Sequence, residues 1–400
     1  MKKLNLLFLL LLCVTNVSAQ ELRHYVEYSS DNYDASIYEM RYAQLKEYID
    51  SRNISNTEIK SRAAADDYAG GDGTSENPYQ IATPEQLVLL AQQTNNGTGG
   101  DACYILTNDI DLEGNIGFLW TPIGKDPYYF TGVFDGNNHT IKNMHSNDEL
   151  KSGFFGGTKG AVIKNINFTD AQVSASPDYS DLTNAAMVIL AEGIKLDDAA
   201  KARAEQEEIM ANAMAGIVAA HAINTSIYNC DVEGKVNTSA WYCGGIIGSS
   251  LATTDFHDLV LIKDCINRAD VAGVLNNGGI VGFSEGSVYN FIIENCENHG
   301  NIDGDFIGGI MGDGEGFMII NCRNYGQVGI KGSFPSTTAG GMIGQGGVNI
   351  IIEDCINLGA ITAGNAGGMT GAALKTVIRR CGNRGKITGY HFSTILAGGI

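Results

Sequence analysis

Short apolar runs, each followed by a polar residue and usually by cysteine, recur along most of the 400-residue chain. The phrase is Ile, any residue, a polar residue and then Cys. It occurs six times, at 227–230, 262–265, 293–296, 319–322, 352–355 and 378–381. Two earlier copies, Ile141–Met144 and Ile163–Ile166, carry Met or Ile in the last position. Such self-similarity predicts a solenoid of stacked repeats.

The spacing between copies indicates the size of one repeat. The two early copies are 22 residues apart, and from Cys230 onward the steps are 35, 31, 26, 33 and 26 residues. These units hold Gly, Asn, Ile and Val in short runs, and lack the long stretches of helix formers that a helical repeat needs. Each unit is therefore predicted to be a coil of short strands in an all-β protein.

The repeated cysteines at 296, 322, 355 and 381 each begin an alternating run, Cys-x-Asn-x-Gly-x-Ile or Val. Residues two apart lie on one face of a strand, so these four positions are expected to face the same way. Stacking would then give apolar columns of Cys and of Ile or Val, and a ladder of amides that bond to the coils above and below. The ladder residues are Asn267, Asn298, Asn324, Asn357 and Asn383.

A second motif lies between successive cysteines and consists of Gly-Gly, two mostly apolar residues and Gly. Its copies are at 244–248, 278–282, 308–312, 340–344 and 367–371. The pattern predicts a short strand between tight corners, where positive φ is required and a Cβ atom would meet the neighbouring coil. The five copies hold 15 of the 51 glycines.

The Gly-Gly element resembles the GLUG motif, and Phe134–Ile141 followed by Gly153–Gly156 is similar to the start of such a repeat array. Gly73–Ile81 and Thr107–Leu112 resemble the entry segment of these arrays. The resemblance covers about residues 70–400. It implies a right-handed parallel β-helix on a bacterial surface. Proteins of this kind include adhesin-like proteins and the non-catalytic part of some IgA-specific metallo-endopeptidases.

The N-terminus has the features of a secretory signal peptide. Lys2 and Lys3 precede the apolar run Leu4–Leu12, and small residues precede Gln20. Residues 1–19 are therefore predicted to be removed, and the chain to be exported to the extracellular space or the outer cell surface. Lipid attachment through Cys13 is an alternative, although a small residue is expected just before it. No later segment has the ~18 consecutive apolar residues of a membrane span.

Residues 20–69 differ in composition from the repeats. Apolar residues of 34–50 follow a helical period, and the polar stretch 53–72 is typical of a linker. Farther on, Thr83-Pro84-Glu85-Gln86 is a capping box that predicts a helix over 84–93. Because an open β-helix end exposes strand edges and core side chains, this helix is expected to cover that end.

One interval in the β-helix region 70–400 is much longer than the others. Ile166 and Cys230 are 64 residues apart, and the excess is rich in Ala, Leu, Met and Glu, with Gly193 as a break. This composition predicts a helical hairpin inserted at 178–214, after which the solenoid resumes at Ala215–Ala219. The hairpin fits either a decoration of one face or a partner-binding surface.

Eight cysteines remain after the signal peptide: the six column members, Cys103 and Cys243. An even number in an exported protein usually suggests disulfides. Equivalent residues of adjacent coils, however, lie about 4.8 Å apart, beyond the roughly 3.5–4.5 Å between the Cβ atoms of a disulfide. Buried and reduced thiols are therefore predicted. A straight stack also cannot surround a zinc ion tetrahedrally.

No catalytic residue, cofactor site or metal site is predicted. The seven histidines include no His-Glu-x-x-His, and Gly-x-Ser-x-Gly does not occur. The densest acidic group is Asp303, Asp305, Asp313 and Glu315. A strand from Phe306 to Met311 is expected to hold its two halves about 20 Å apart, so solvated turn acids are favoured over a calcium site. The nearest basic group, Lys375, Arg379 and Arg380, is expected to be a solvated strand edge.

Charge and motifs leave few function classes. Loss of Lys2 and Lys3 changes the formal net charge from −19 to −21, which excludes a nucleic-acid groove. The favoured hypothesis is a secreted or surface-exposed, non-catalytic β-solenoid, adhesin-like or structural, that binds a host or matrix protein or a glycan. A polysaccharide lyase or glycoside hydrolase would need converging acids, which the repeats do not offer. An accessory region of a larger surface peptidase is the remaining alternative.

Because Gly398–Ile400 stops within a Gly-Gly motif, further coils are expected beyond it.

Overall fold

The computed structural model of the chain describes residues 67–112, 119–176, 212–252, 260–286, 291–329 and 337–389. These residues form a right-handed parallel β-helix, in which each turn of the chain, or coil, lies on the previous one. The predicted fold class is thereby confirmed. The predicted signal peptide, the predicted helix at 34–50 and residues 178–211 of the predicted insertion lie outside the described residues.

Four long sheets form the walls, and their strands pair in parallel with the equivalent strands of neighbouring coils. The first sheet contains Tyr79–Ile81, Cys103–Leu106, Val133–Asp135, Val162–Lys164, Ser226–Tyr228, Val260–Lys263, Phe291–Glu294, Phe317–Ile320, Ile350–Glu353 and Thr376–Arg379. The second contains Ile110–Asp111, Thr140–Lys142, His145–Asp148, Asn167–Ala175, Asp231–Asn237, Ile266–Asn267, Asp270–Ala272, Glu297–Asn298, Ile302–Asp303, Arg323–Asn324, Ile356–Asn357 and Gly382–Asn383. Ile361–Ala363 and Ile387–Gly389 form a separate pair.

The other two sheets are joined within each coil by the Gly-Gly motif or its degenerate copy. The third sheet contains Lys151–Ser152, Met214–Gly216, Tyr242–Gly244, Asn276–Gly278, Phe306–Gly308, Thr338–Gly340 and Asn365–Gly367. The fourth contains Phe155–Lys159, Ala219–Ile223, Ile247–Ala252, Val281–Gly286, Met311–Gly314, Ile343–Gly346 and Thr370–Ala373. The strand Met214–Gly216 pairs with Lys151–Ser152 on one side and with Tyr242–Gly244 on the other, so the stack resumes after the long interval as predicted.

The polar residue of the repeated phrase forms the corner between the first and second sheets. It adopts the left-handed region with φ between 48° and 57° in Asn143, Asn165, Asn229, Asp264, Asn295, Asn321, Asp354 and Arg380. Asn and Asp tolerate this region because their short side chains can bond locally. These side chains also bond from coil to coil: Asn321 Nδ2 donates to Asn295 Oδ1 at 2.7 Å. Sequence reasoning recognised the recurring polar residue but not its role as a corner.

The six repeated cysteines form a single inward column, as predicted. Cys230, Cys265, Cys296, Cys322 and Cys355 are at most 1% exposed, whereas Cys381 in the last described coil is partly exposed. The thiols also close the corner, because Cys296 Sγ donates to the Glu294 carbonyl at 3.3 Å and Cys322 Sγ accepts from the Cys296 amide at 3.4 Å. Burial raises the pKa of the Cys296 thiol. The eight cysteines of the described part are free.

The predicted amide ladder is confirmed from Asn267 to Asn383. Nδ2 of each asparagine donates to Oδ1 of the next, at 2.7–2.8 Å. The second hydrogen of Asn298 Nδ2 goes to the Gly300 carbonyl at 2.9 Å, and the other ladder residues repeat this bond. A buried amide without partners is destabilising, and the ladder removes that penalty. Glycine is required at position 300, because a Cβ there would lie 1.8 Å from the Ala269 carbonyl oxygen.

After Cys230 the run is the single strand Asp231–Asn237, whereas from Cys265 to Cys355 the run after each cysteine keeps its predicted alternation of burial but is not one strand. In one coil it consists of the strands Glu297–Asn298 and Ile302–Asp303, and residues 299–301 between them are not part of a strand. In this stretch the Gly300 carbonyl accepts from the Asn298 side chain, while the His299 amide still donates to the Asn267 carbonyl of the preceding coil. The four inward positions are therefore held by two short strands and a side-chain bond.

The Gly-Gly motif was predicted as a short strand with positive φ, and this prediction is wrong. Gly244 ends a third-sheet strand and Ile247 begins a fourth-sheet strand, so the motif is the corner itself. None of the five described copies contains a glycine with positive φ. Close packing requires the glycines instead: a Cβ on Gly244 would lie 2.0 Å from the Ile247 carbonyl oxygen, and one on Gly245 would lie 2.2 Å from Asn267 Cγ.

The predicted capping helix spans Pro84–Asn95, two residues longer than expected. Thr83 Oγ1 accepts from the Gln86 amide at 3.4 Å, and Gln86 Oε1 reaches back to the Ala82 amide at 2.8 Å. The helix buries Leu87, Leu90 and Ala91 in the core beside the first strand of the first sheet. Tyr68, within the predicted linker, is only 6% exposed and stacks on Tyr79 with 4.8 Å between ring centroids.

Candidate functional site

The outer surface between the third and fourth sheets is a concave corner that runs along seven coils. Side chains that point outward from two adjacent sheets can touch only where the angle between the sheets is concave on the outside. The rings of Tyr242 and Phe283 stack across this angle, with 4.6 Å between their centroids. We call this surface the outer corner. Its third-sheet positions are Lys151, Met214, Tyr242, Asn276, Phe306, Thr338 and Asn365. Its fourth-sheet positions are Gly157, His221, Ser249, Phe283, Asp313, Gln345 and Ala372.

Glycines make this corner tight. A Cβ on Gly282 would lie 2.5 Å from the Cys243 amide nitrogen, and one on Gly312 would lie 2.5 Å from the Asn277 amide nitrogen. The backbones of the two sheets therefore approach each other at the base of the corner. The side chains one step farther from the base consequently form its walls.

A polar cluster lies at the N-terminal end of the outer corner. Asp126 accepts hydrogen bonds from Tyr129 Oη and Lys151 Nζ. The Lys151 ammonium also lies 5.6 Å from the centre of the Tyr129 ring, an arrangement that favours the cation. Burial, followed by the Asp126 carboxylate, raises the pKa of Tyr129 to about 12. The Tyr129 ring covers Gly157, where a Cβ would lie 2.6 Å from the ring.

His221 lies in the next coil, beside this cluster. Burial, and then the charge of Lys151, lowers the pKa of His221 to about 4. The imidazole is therefore neutral at neutral pH. Its Nδ1 atom is buried and has no hydrogen-bond partner within the described part of the chain. Sequence reasoning found no role for this histidine, because its neighbours come from distant segments.

The centre of the outer corner combines aromatic, amide and carboxyl groups. Asn276 is 4% exposed, and its Oδ1 has no hydrogen-bond partner among the described residues. It lies in register between Tyr242 and Phe306. Opposite, burial and then the charge of Glu315 raise the pKa of Asp313 to about 6, although the Gly314 amide donates to its carboxylate at 2.7 Å. The rings of Tyr242 and Phe283 are therefore partly exposed here, whereas Asn276 Oδ1 is enclosed beneath them.

The acidic group considered for calcium is arranged differently from expectation. The stretch Phe306 to Met311 is not one strand: Phe306–Gly308 belongs to the third sheet and Met311–Gly314 to the fourth. The expected straight separation is therefore wrong, and Asp313 is a half-buried wall residue rather than a solvated turn acid. Within the described ranges, no three His, Cys, Asp or Glu residues are placed to hold a metal ion.

The other residues singled out in the sequence belong to corners and surfaces. Arg380 donates to Asp354 Oδ1 at 2.7 Å and also binds Glu353. Arg379 pairs in register with Glu353. His299 stacks on Tyr325 at 4.5 Å, on the wall formed by the second sheet. These groups pair with their neighbours and do not converge on a cleft.

The outer corner was not found by sequence reasoning because its positions do not repeat. Inside the β-helix like stacks on like, whereas the outer corner changes residue type in every coil. A signal was nevertheless present: Tyr242 and Phe306 stand two residues before a Gly-Gly pair, and Phe283 follows directly after the motif.

Comparison with known proteins places the fold but not a family. No family model matches the chain, so the likeness to GLUG proteins stays a resemblance. Halomucin of Haloquadratum walsbyi is 33% identical over 120 residues, 27% of this chain, and a protein of Evansella cellulosilytica named "Putative Gly-rich membrane protein" is 35% identical over 109 residues, 26% of this chain. The matched regions span only 1% and 12% of those relatives.

A solved structure shares the fold. The crystal structure of a "putative immunoglobulin A1 protease" from Bacteroides ovatus superposes with a TM-score of 0.57 at 20% identity, covering 80% of this chain and 91% of that one.

The described part of the present chain offers no helix with the length and apolar character that crossing a bilayer takes.

Proposed function

We propose that this chain is a secreted or surface-exposed, non-catalytic β-solenoid that acts as an adhesin-like binding module, with the outer corner as its binding surface. One observation carries the proposal. The repeated polar residues bond to each other or to nearby backbone, as in the ladder from Asn267 to Asn383. By contrast, the outer corner presents the partly exposed side chains of Tyr242, Phe283 and Asp313, which do not repeat from coil to coil. Binding surfaces combine apolar area with a few directed polar groups in this way.

Export supports the same proposal. The predicted signal peptide directs the chain out of the cytoplasm. The names of two relatives, a halomucin and a Gly-rich membrane protein, also fit a place in or outside the cell envelope. A high negative charge keeps such an extended module soluble and repels polyanions.

A second candidate is the accessory region of a larger surface peptidase. The fold likeness to the Bacteroides ovatus protein, which covers 91% of that chain, favours it. The present sequence has no His-Glu-x-x-His, so metallopeptidase chemistry of that type would require a further domain. The mass of the protein isolated from its native cells tests this: a mass equal to that of the chain without its signal would contradict it.

The binding proposal is tested with the full chain lacking its predicted signal peptide. Retention is measured on surfaces coated with mucin, collagen, fibronectin or polysaccharide, and the supernatants are assayed for released sugars and peptides. Retention without product release is expected. If the chain binds none of the coated surfaces, the binding role is contradicted. Steady release of reducing ends or unsaturated sugars would instead establish the polysaccharide-acting alternative.

A further inference from the structure

We propose that a cavity beside the capping helix Pro84–Asn95 is a docking site for an extended segment of a partner protein, one that carries a large apolar side chain flanked by Lys or Arg. The cavity lies at the N-terminal end of the β-helix, and none of the outer-corner residues lines it. A binding site here is an addition to the proposed function and does not depend on it.

The cavity has a volume of about 290 Å³ and lies between two walls. One wall is the capping helix, which contributes Val88 and Gln92, and the other is the stretch 119–121. The cavity is open to solvent, because Gln92 and Thr121 on its rim are exposed and Leu119 is 57% exposed. An apolar cavity of about 150 Å³ is already large enough to bind benzene. The space therefore accommodates one large apolar side chain.

The lining of the cavity is mainly apolar and is already in place. Val88 and Ala91 contribute from the helix, and Leu119 and Trp120 contribute from the facing stretch. The Trp120 ring is fixed, because it stacks on Phe154 with 5.2 Å between centroids and its Nε1 donates to the Phe154 carbonyl at 3.0 Å. A preformed apolar wall reduces the entropy lost on binding. An apolar anchor is thus the group that this space favours.

The stretch that holds Trp120 has a free strand edge. Trp120 pairs in parallel with Ser146, and its amide donates to the His145 carbonyl at 2.6 Å. Backbone groups alternate in direction along an extended stretch, so those of Leu119 and Thr121 point away from that neighbouring coil. Neither of these two residues forms a hydrogen bond within the described part of the chain. A free edge of this kind pairs with an extended peptide, main chain to main chain.

The charge of this end of the β-helix favours a cationic partner. No Lys or Arg occurs from residue 63 to residue 124, whereas nine Asp or Glu residues do, and Lys125 pairs with Asp148 at 3.2 Å. Glu85 is exposed and lies one turn before Val88 on the same side of the helix, so a carboxylate stands near one end of the cavity. The other end is the C-terminus of the helix, whose partial negative charge is not offset by a basic residue in the last turn. Lys or Arg on either side of the apolar anchor therefore meets a negative group.

The test is selection of random peptides displayed on phage, with the full chain without its predicted signal peptide as the immobilised target. Enriched peptides are expected to share one large apolar residue with Lys or Arg on both sides. The synthetic consensus peptide should bind in a fluorescence anisotropy titration, and more weakly as salt is added. Methylation of its backbone amides beside the apolar residue should weaken binding further, because strand pairing uses them. Enrichment of no peptide, or of acidic peptides, would overturn the inference.

Two leucines of similar exposure provide the decisive variant and its control. Leu119→Ser removes apolar surface from the cavity and should weaken binding of the consensus peptide about tenfold. Leu374→Ser changes a leucine that is 59% exposed in the last described coil, and this variant should bind as the wild type does. Equal binding by the two variants would contradict the assignment of the cavity.

The role of charge is tested at exposed positions. Glu85→Gln should weaken binding about threefold, whereas Glu233→Gln on the second-sheet wall should leave it unchanged. Unchanged binding by Glu85→Gln would remove the carboxylate from the site.

Folding and binding are separated by comparing circular dichroism spectra and thermal midpoints for every variant. If Leu119→Ser does not fold, Asn96→Lys decides, because a cation suits the helix C-terminus but repels a basic peptide. Unchanged binding by Asn96→Lys then counts against the inference. A concentration-dependent dimer of the wild type that Leu119→Ser abolishes, measured by analytical ultracentrifugation, would show instead that a second copy of this chain occupies the cavity.

Discussion

Two regions of the β-helix fill the same interior positions with different chemistry. In the earlier coils, one position of the second sheet holds Phe168 and then Val232, and from the following coil it holds the asparagines of the ladder. The facing corner holds Phe154 and then Ile217 where the later coils have the second glycine of the Gly-Gly motif. Both positions therefore change together.

The earlier solution is packing by aromatic rings. The ring centroid of Phe154 lies 5.4 Å from the centroids of Phe134 and Phe168, and 5.0 Å from that of Phe155. The later solution is a hydrogen-bonded amide that sits against a glycine. Ring packing is nearly non-directional and fixes volume, whereas the amides fix the register of each coil on the next. The comparison teaches that one fold can be held by shape in one half and by directed bonds in the other.

The aromatic half should suffer most from loss of volume. Phe168→Ala removes a buried ring that contacts Phe154, and we expect a loss of about 4 kcal/mol in the free energy of unfolding. Urea unfolding monitored by circular dichroism measures it. Val173→Ala, a smaller truncation in the same strand, is the control and should cost about 1–2 kcal/mol. Equal losses for the two variants would show that the ring cluster is not the centre of this region.

The amide half should suffer most from added volume. A Cβ on Gly309 would lie 2.2 Å from the Gly341 carbonyl oxygen and 2.3 Å from Asn324 Cγ. We therefore expect Gly309→Ala to destabilise by about 3 kcal/mol. Gly382→Ala is the control, since nothing lies within 4 Å of its Cβ position. A neutral Gly309→Ala variant in the same urea experiment would contradict the tight contact with the ladder.

Removing one amide should separate the two regions further. Asn324→Leu leaves Asn298 Nδ2 without its acceptor and Asn357 Oδ1 without its donor. We expect a loss of about 2–3 kcal/mol from these unpaired groups. Val232→Ala at the equivalent earlier position should cost about 1–2 kcal/mol, because it removes apolar volume without leaving a polar group unpaired. Amide hydrogen exchange should also show faster opening of the coils beside residue 324, and unchanged exchange there would argue against the ladder.

The two halves of the outer corner should respond to pH in opposite directions. Asp313 has a raised pKa of about 6, so its contribution to stability is present at low pH and is lost as the pH rises through that value. His221 has a lowered pKa of about 4, so its contribution is present above its ordinary pKa near 6.5 and is lost as the pH falls toward that lower value.

When the pH falls from about 7 to about 4, the wild type gains stability from protonation of Asp313, and Asp313→Asn should lack this gain of about 1–2 kcal/mol. Over the same range the wild type loses stability as His221 is protonated, and His221→Gln should lack this loss of about 1–2 kcal/mol. Urea midpoints at several pH values measure both. A pH dependence of Asp313→Asn identical to that of the wild type would mean that the Asp313 carboxyl is solvated, as the sequence suggested.

The thiol column should give the smallest effect. Cys322 Sγ donates to the Ile320 carbonyl at 3.3 Å and accepts from the Cys296 amide. A serine hydroxyl can keep both bonds but is smaller and more polar, so Cys322→Ser should cost about 1 kcal/mol or more. Mass spectrometry of the native protein, with and without a thiol-blocking reagent, checks the prediction that the column is reduced. Native bridges between adjacent members would contradict it.

The sequence revealed those parts of the fold in which like stacks on like. Cys296, Asn298 and Ile302 recur at a period of two, and that recurrence was enough to predict the inward columns and the amide ladder. It did not reveal that Asn295 turns the chain, because positive φ depends on both flanking strands. It also mistook Gly244–Gly248 for a strand, since glycine needed for close contact and glycine needed for positive φ look alike in a sequence.

The candidate site lay beyond sequence reasoning for a different reason. Tyr242, Asn276 and Asp313 are brought together by the angle between two sheets, which no local pattern encodes. Asp313 was counted as a turn acid because six residues were assumed to run straight from Phe306. The bend at Gly309 moves it to the opposite wall, where burial changes its chemistry.

The amide ladder has a direction. Each Nδ2 gives one hydrogen to a carbonyl two residues farther along its own coil, and a carbonyl can only accept, so the amide cannot be turned round. The second hydrogen must then point to the following coil, from Asn267 toward Asn383. The five amide dipoles add up head to tail along the axis. A coil of this type is thus a polar building block that can be duplicated or deleted only in one orientation, with its acceptor toward the N-terminal neighbour.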